Sequence, residues 1–333
     1  MKTAVIGSGA WGTALASLLC KNGHDTTLWC RTPEKAAQMQ ETHINPRLSQ
    51  VTLPEKLKFS GDAACVTDCA MVVIACPSFP IRTVCRAVAP YIPRDAVVVS
   101  VTKGIEEGTL LRMSQVVSQE TGHETVVALS GPCHAEEVVI GLPTGCLAAC
   151  EDKASAEFVQ DAFMSDTFRV YTSPDIVGAE LGGALKNVIA LCAGVITGLG
   201  FGDNTKAMLM TRGLTETARL GVALGAKKET FAGLAGVGDL IVTCTSMHSR
   251  NRRAGILIGQ GKDPQAAMKE VGAVVEGYYA AKSAYELGKA KGIDMPITDA
   301  AYKVLYEGAD VREAVQALLS RQRKSESEDA GWQ

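Results

Sequence analysis

Short runs of β-branched and other apolar residues recur through the first half of the chain: "TAVIG" from residue 3, "TTLWC" from 26, "MVVIAC" from 71, "AVVVSVT" from 96, "TVVALSG" from 125 and "TGCLAAC" from 144. Most are separated by helix-length stretches with apolar residues at three and four spacing. That alternation predicts βα units around a buried, mostly parallel, doubly wound sheet.

After "FRVYTSPD" the strand signals stop, and Pro174 with Asp175 forms an entry to a helix. From Ile176 to about Leu319 the pattern is helical almost throughout, interrupted at "GLGFGDN", "LAGVGD", "GQGKDP" and "KGIDMP". The expectation is an α/β protein with a Rossmann-type dinucleotide-binding domain over 1–175 and an all-α substrate domain over 176–320. The remainder, 321–333, is too polar to bury anything and reads as a loose tail. The apolar runs read as shorter than the roughly 20 residues a membrane span needs, and no secretory signal precedes the first strand, so the chain reads as cytoplasmic.

Composition narrows the partners. Apolar residues are 47% of the 333 positions, enough for two cores, and 33 basic against 36 acidic residues leave no bulk charge for nucleic acid. Any anion site must then be local. The 11 cysteines are scattered, odd in number and mostly inside apolar runs, which suits buried thiols in a reducing compartment and no bound metal.

The most specific pattern is Gly7, Gly9 and Gly12, a G-x-G-x-x-G set directly after a strand and before an apolar helix. The first glycine permits the tight turn, the second lets a pyrophosphate approach, and the third lets helix pack on strand. The helix N-terminus supplies free N–H groups to the anion. A ligand-free turn, or one serving flavin or a methyl donor, is the competing reading. Where an NAD-selective chain places an acid, the second strand here is followed by Arg31, which suits a 2′-phosphate and points to NADPH, with NADH tolerated. The bland alternative is a solvated surface charge.

Three further features carry chemistry. Lys103 follows an apolar strand and can face a phosphate or carbonyl. Lys186, with Asn187, interrupts about twenty apolar positions in "GAELGGALKNVIALCAGVITGLG", where Leu181, Leu185, Val188, Ile189 and Cys192 mark the expected buried face. A desolvated lysine has a lowered pKa and suits proton donation in carbonyl reduction; the alternative is that it snorkels to water. Asp239 follows a glycine turn, and Ser249, Arg250, Asn251, Arg252 and Arg253 crowd ahead of a helix, a receptor for a small phosphate or else a solvated basic face.

Together "GSGAWGTALA", "VTKGIE", "SGPCHAEEV", "ELGGALKNVIA", "NTKAMLMTRGL", "LAGVGDLIVTCTS", "SRNRRAG" and "VEG" resemble, over about residues 1–320, the bacterial-type NAD(P)-dependent glycerol-3-phosphate dehydrogenases. The resemblance implies reduction of dihydroxyacetone phosphate to sn-glycerol 3-phosphate for phospholipid synthesis, by a homodimer using no metal. It implies Lys186 as catalytic acid/base, and Lys103, Gly131, Cys133, Asp239, Ser249, Arg250 and Asn251 around the substrate. Gly7, Gly9, Ala10, Trp11, Gly12, Arg31, Lys103, Ala135, Arg250, Val274 and Glu276 are implied around the cofactor. The chain departs from many relatives in reading Cys133 and His134 for Ser-Phe, and Ala10 for Ser. Cys133 is a poorer hydrogen-bond partner than Ser, so its backbone is the expected contact. His134 is a competing candidate for proton relay. Two other functions stay open: a related two-domain β-hydroxy acid dehydrogenase, which would prefer a carboxylate, and a non-catalytic NADPH-sensing protein.

Overall fold

The computed structural model describes residues 1–323 with 325 and 326; of the expected tail, 324 and 327–333 lie outside the described residues. Eight strands form one sheet: β1 (Lys2–Ile6), β2 (Asp25–Trp29), β3 (Lys58–Ser60), β4 (Met71–Ile74), β5 (Val97–Ser100), β6 (Val126–Ser130), β7 (Thr144–Ala149) and β8 (Phe168–Ser173). Their order is β3-β2-β1-β4-β5-β6-β7-β8. The first six run parallel, β7 is antiparallel to β6, and β8 is parallel to β7. β1 is the point where the winding reverses, so the crevice beyond its carboxyl end is the natural ligand position. The edge strand β3 escaped the sequence pattern because "KFS" is three residues long with no β-branched member.

One face of the sheet is covered by α1 (Ala10–Lys21), α2 (Pro33–Thr42), α5 (Ala135–Val139) and α6 (Lys153–Phe163), whose apolar residues share a core with Val5, Leu28, Val73, Val99 and Val127. The other face packs α3 (Ile81–Val88) and α4 (Met113–Thr121) on Ile6, Val72, Ile74 and Val98. Successive strand residues thus alternate between two apolar cores, which is why the strands read as continuous apolar runs.

The helical part begins at α7 (Ile176–Gly198), where Asp175 accepts from Gly178 N at 2.9 Å and from Lys227 N at 2.9 Å. Around α7 lie α8 (Asp203–Ala223), α9 (Asp239–Thr245), α10 (Arg250–Gly259), α11 (Pro264–Val271), α12 (Glu276–Lys291), α13 (Pro296–Tyr306) and α14 (Val311–Leu319). The expected single buried face of α7 is corrected here: the helix is buried on almost every side, and Cys192, assigned to that face, is only half-buried. A helix at the centre of a domain has no solvent face for periodicity to report. Its length is corrected as well, since at 23 residues and mean hydropathy 1.5 it is long and apolar enough to cross a membrane. Seventy-eight per cent of that apolar window is buried inside the protein, as in the core helix of a helical domain.

Candidate active site

The first turn shows why three glycines are needed. A Cβ on Gly7, at φ +125°, would lie 2.5 Å from the Ala75 carbonyl oxygen, and one on Gly12 would lie 2.0 Å from that of Gly7. Those two glycines serve the fold. Gly9 differs, because nothing lies within 4 Å of the position its Cβ would take. It is the N-cap of α1 and supplies no side-chain cap, so the first N–H groups of that helix face open space. A dinucleotide pyrophosphate fits this cradle. Lys35 Nζ and Asn45 Nδ2 donate to the Ser8 carbonyl at 2.8 and 3.2 Å and fix the turn from below.

Arg31 stands exposed immediately past β2, as a ribose-end contact requires. Lys35 and Arg47 share its neighbourhood. The Lys35 ammonium is held below the ordinary lysine range by burial and by the nearby charges of Arg47 and Arg31, the Cys30 thiol acting in the opposite direction. Ala10 and Trp11, the first two residues of α1, are partly buried against the core. Ala135 is buried at the first turn of α5, and Val274 is half-buried in the link before α12. Glu276 accepts from Ser78 N at 3.2 Å and from the Ser78 hydroxyl, which pins the loop after β4 to α12. Burial pushes the Glu276 carboxyl up, against the Ser78 bonds and the attraction of Arg250.

Opposite this turn, one carboxylate is shared by two ammonium groups. Lys103 Nζ lies 2.6 Å from Asp239 Oδ2, and Lys186 Nζ donates to Asp239 Oδ1. Asp239 is 1% exposed and Lys186 8% exposed, which excludes a snorkelling lysine. The π-helical turn Leu234–Gly238 delivers Asp239 to the start of α9, and Thr243 one turn later accepts from Lys186 Nζ at 2.8 Å. Lys103 also donates to the Gly131 carbonyl at 2.9 Å.

These surroundings separate the two lysines. For Lys186, burial dominates and the positive Lys103 adds to it, outweighing Asp239, so its pKa falls to about 8. Burial also opposes the charge on Lys103, yet Asp239 and the Cys133 sulfur more than offset it, and Lys103 is held above the ordinary range. One lysine keeps its proton and its neighbour can release one near neutrality.

Ser249 is the N-cap of α10, its hydroxyl accepting from Arg252 N at 3.2 Å, while Arg250 is exposed in the first turn with its charge close to that of Glu276. Asn251 donates to Asn187 Oδ1 at 2.9 Å and accepts from Gly277 N at 2.8 Å. It ties α10 to α7 and α12 beside Lys186. Two glycine pairs make this approach possible: Cβ atoms on Gly194 and Gly198 would lie 2.1 and 2.2 Å from the Arg252 and Ile256 carbonyl oxygens of α10.

Cys133 Sγ sits 3.0 Å from the Gly131 carbonyl and 3.8 Å from Lys103 Nζ. His134 does not join the lysines: its ring lies 5.7 Å from that of His248, and its Nε2 is buried without a hydrogen-bond partner. Thr243, Ser78, Asn187 and Lys35 hydrogen-bond to these side chains or to the glycine turn and were not named as site candidates. Asn187 carried a sequence signal as a polar break beside Lys186, and Ser78 carried one as a polar residue in the turn "ACPS" that follows an apolar strand. Among the described residues, no three His, Cys, Asp or Glu side chains gather in a metal-holding group.

Sequence models of the NAD-dependent glycerol-3-phosphate dehydrogenase N-terminus and C-terminus match residues 2–156 and 175–316. The chain belongs to the NAD-dependent glycerol-3-phosphate dehydrogenase family. It is 52% identical over 331 residues to the NAD(P)+ glycerol-3-phosphate dehydrogenase of Moorella thermoacetica, covering 99% of this chain and 98% of that one. It is 50% identical to that of Desulfitobacterium hafniense over 98% of this chain and 94% of the relative. A crystal structure of glycerol-3-phosphate dehydrogenase from Coxiella burnetii superposes with a TM-score of 0.92 at 37% identity, over 96% of this chain and 99% of that one. As a member of the glycerol-3-phosphate dehydrogenase family, the chain is an oxidoreductase that uses a nicotinamide cofactor.

Proposed function

We propose that the chain reduces dihydroxyacetone phosphate to sn-glycerol 3-phosphate, reversibly, with Lys186 as acid and base. The observation that carries this reading is the pair of buried ammonium groups on one carboxylate, Lys103 and Lys186 on Asp239. When bound, the reduced nicotinamide supplies the hydride that reduces the ketone carbon. Lys186 gives its proton to the ketone oxygen, and Asp239 and Thr243 aim its Nζ. Lys103 remains charged and stabilises the negative charge that develops on that oxygen. Ser249, Arg250, Asn251 and the first amides of α10 hold the phosphate, which fixes the carbonyl against the lysine. Gly131 and Cys133 form the wall opposite, Gly131 by its backbone. In the reverse direction neutral Lys186 takes the proton back.

Gly7, Gly9, Ala10, Trp11 and Gly12 would hold the dinucleotide at the α1 N-terminus, with Ala135, Arg250, Val274 and Glu276 as further contacts. The preferred form is NADPH. Arg31 supports this, joined by Lys35 and Arg47, because these three cations gather at the ribose end. Arg31→Ala should lower kcat/KM for NADPH far more than for NADH; an unchanged ratio would remove Arg31 from this role. Homodimeric assembly in the cytoplasm and a supply of glycerol 3-phosphate to phospholipid synthesis complete the reading, on the family resemblance.

The test is NADPH consumption with dihydroxyacetone phosphate against dihydroxyacetone and a panel of keto acids. The phosphorylated ketone should be preferred by orders of magnitude. Preference for a keto acid would replace this reading with a β-hydroxy acid dehydrogenase, and binding of NADPH without turnover would replace it with a sensor.

A further inference from the structure

Eleven cysteines are free in this chain, and most of their thiols are made inert by burial, which pushes Cys65 and Cys69 up to about 11 and Cys85, Cys192 and Cys244 up to about 12. Cys133 runs the other way. The neighbouring Cys146 thiol and the Lys103 charge act against burial and bring Cys133 down to about 7. Lys103 Nζ stands 3.8 Å from Cys133 Sγ. Cys133 is half-buried, whereas Cys146 is fully buried on β7. The two segments already touch: a Cβ on Gly131 would lie 3.1 Å from the Cys146 Cα.

We propose that Cys133 and Cys146 are a peroxide-reactive pair whose reversible oxidation to a disulfide switches the enzyme off. The Cys133 thiolate attacks one oxygen of hydrogen peroxide; the O–O bond breaks, sulfur is oxidised to a sulfenic acid, and the other oxygen leaves as hydroxide that takes up the thiol proton as water. The Cys146 sulfur then attacks the Cys133 sulfur. The S–S bond forms, the S–O bond breaks, and the departing hydroxide leaves with the Cys146 proton as a second water. In sum, two thiols and one peroxide give a disulfide and two waters. The bond pulls the Cys133 sulfur toward β7 and away from Lys103 and the Gly131 carbonyl, which deforms the wall opposite Lys186. The inference rests on the proposed placement of Cys133 in that wall.

The test treats the full chain with hydrogen peroxide, removes the excess with catalase, and follows both turnover and the state of each cysteine. Cleavage after Glu137 separates Cys133 from Cys146, so a linked pair of peptides reports the disulfide by mass, without reference to turnover. We expect the linked pair to appear in step with the loss of activity and both to reverse with dithiothreitol. Cys133→Ser, scored against its own untreated activity, should inactivate at least about tenfold more slowly. Cys146→Ser should lose activity that dithiothreitol no longer restores, because without a partner the Cys133 sulfur is driven on to the sulfinic acid. The inference is overturned if Cys133 stays alkylatable in inactivated wild-type enzyme, if Cys133→Ser inactivates at the wild-type rate, or if the disulfide forms with turnover intact. Lack of turnover before peroxide is added would instead strike the functional reading.

Discussion

Lys186, the proposed acid and base, rests on a balance of charges. Two ammonium groups share the single carboxylate of Asp239, and burial taxes both. Beside that carboxylate, Lys103 donates to a carbonyl and to the Cys133 sulfur, whereas Lys186 donates to the neutral hydroxyl of Thr243. Lys186→Ala should lower kcat by about two to four orders of magnitude while NADPH binding, followed by cofactor fluorescence, stays near normal. Near-normal turnover would remove Lys186 from its role. Asp239→Asn tests the balance differently. The carboxylate raises the Lys186 pKa, so its loss should lower that pKa further and shift the pH at which reduction fails to lower values. An unmoved pH profile would place the titrating group elsewhere. Lys186 could be read from the sequence because a lysine is conspicuous among Ala, Leu and Val. Thr243 could not, since one threonine in "DLIVTCT" looks like any other until α9 is docked on α7.

At the scale of elements, the seam between α7 and α10 sets the site. Gly194 and Gly198 on one helix face Gly255 and Gly259 on the other, so the backbones approach too closely for any Cβ. A Cβ on Gly255 would lie 2.0 Å from the Leu191 carbonyl. Gly255→Ala should therefore cost about 1 to 3 kcal/mol by overpacking, and also raise KM for dihydroxyacetone phosphate, because α10 carries Ser249, Arg250 and Asn251. Thermal unfolding and steady-state kinetics check it; wild-type values in both would show that the seam is slack. Most element boundaries were legible where glycine, proline or aspartate breaks the pattern, as at the end of α7, the start of α11 and the start of α13. β3 was not, because a three-residue edge strand stands on pairing with β2 rather than on its own residues.

Across the whole molecule, the site is assembled from both halves of the chain. Lys103 comes from the end of the sheet, whereas Lys186 and Asp239 come from the helical part. Ser78 on Glu276 and Arg112 with Ser114 on Glu180 close the same boundary at two other points. The sequence could show a sheet followed by helices and the candidate residues in each. Their meeting on one carboxylate is a property of long-range packing that no local pattern encodes. The measurement that tests the account most directly is the pH dependence of kcat/KM in both directions. With Lys186 near 8, the protonated form serves reduction and the neutral form serves oxidation. Reduction of dihydroxyacetone phosphate should hold level below that pH and fall above it, while oxidation of glycerol 3-phosphate should rise through the same pH to a plateau. Profiles that move in the same direction, or show no break near that value, would contradict it.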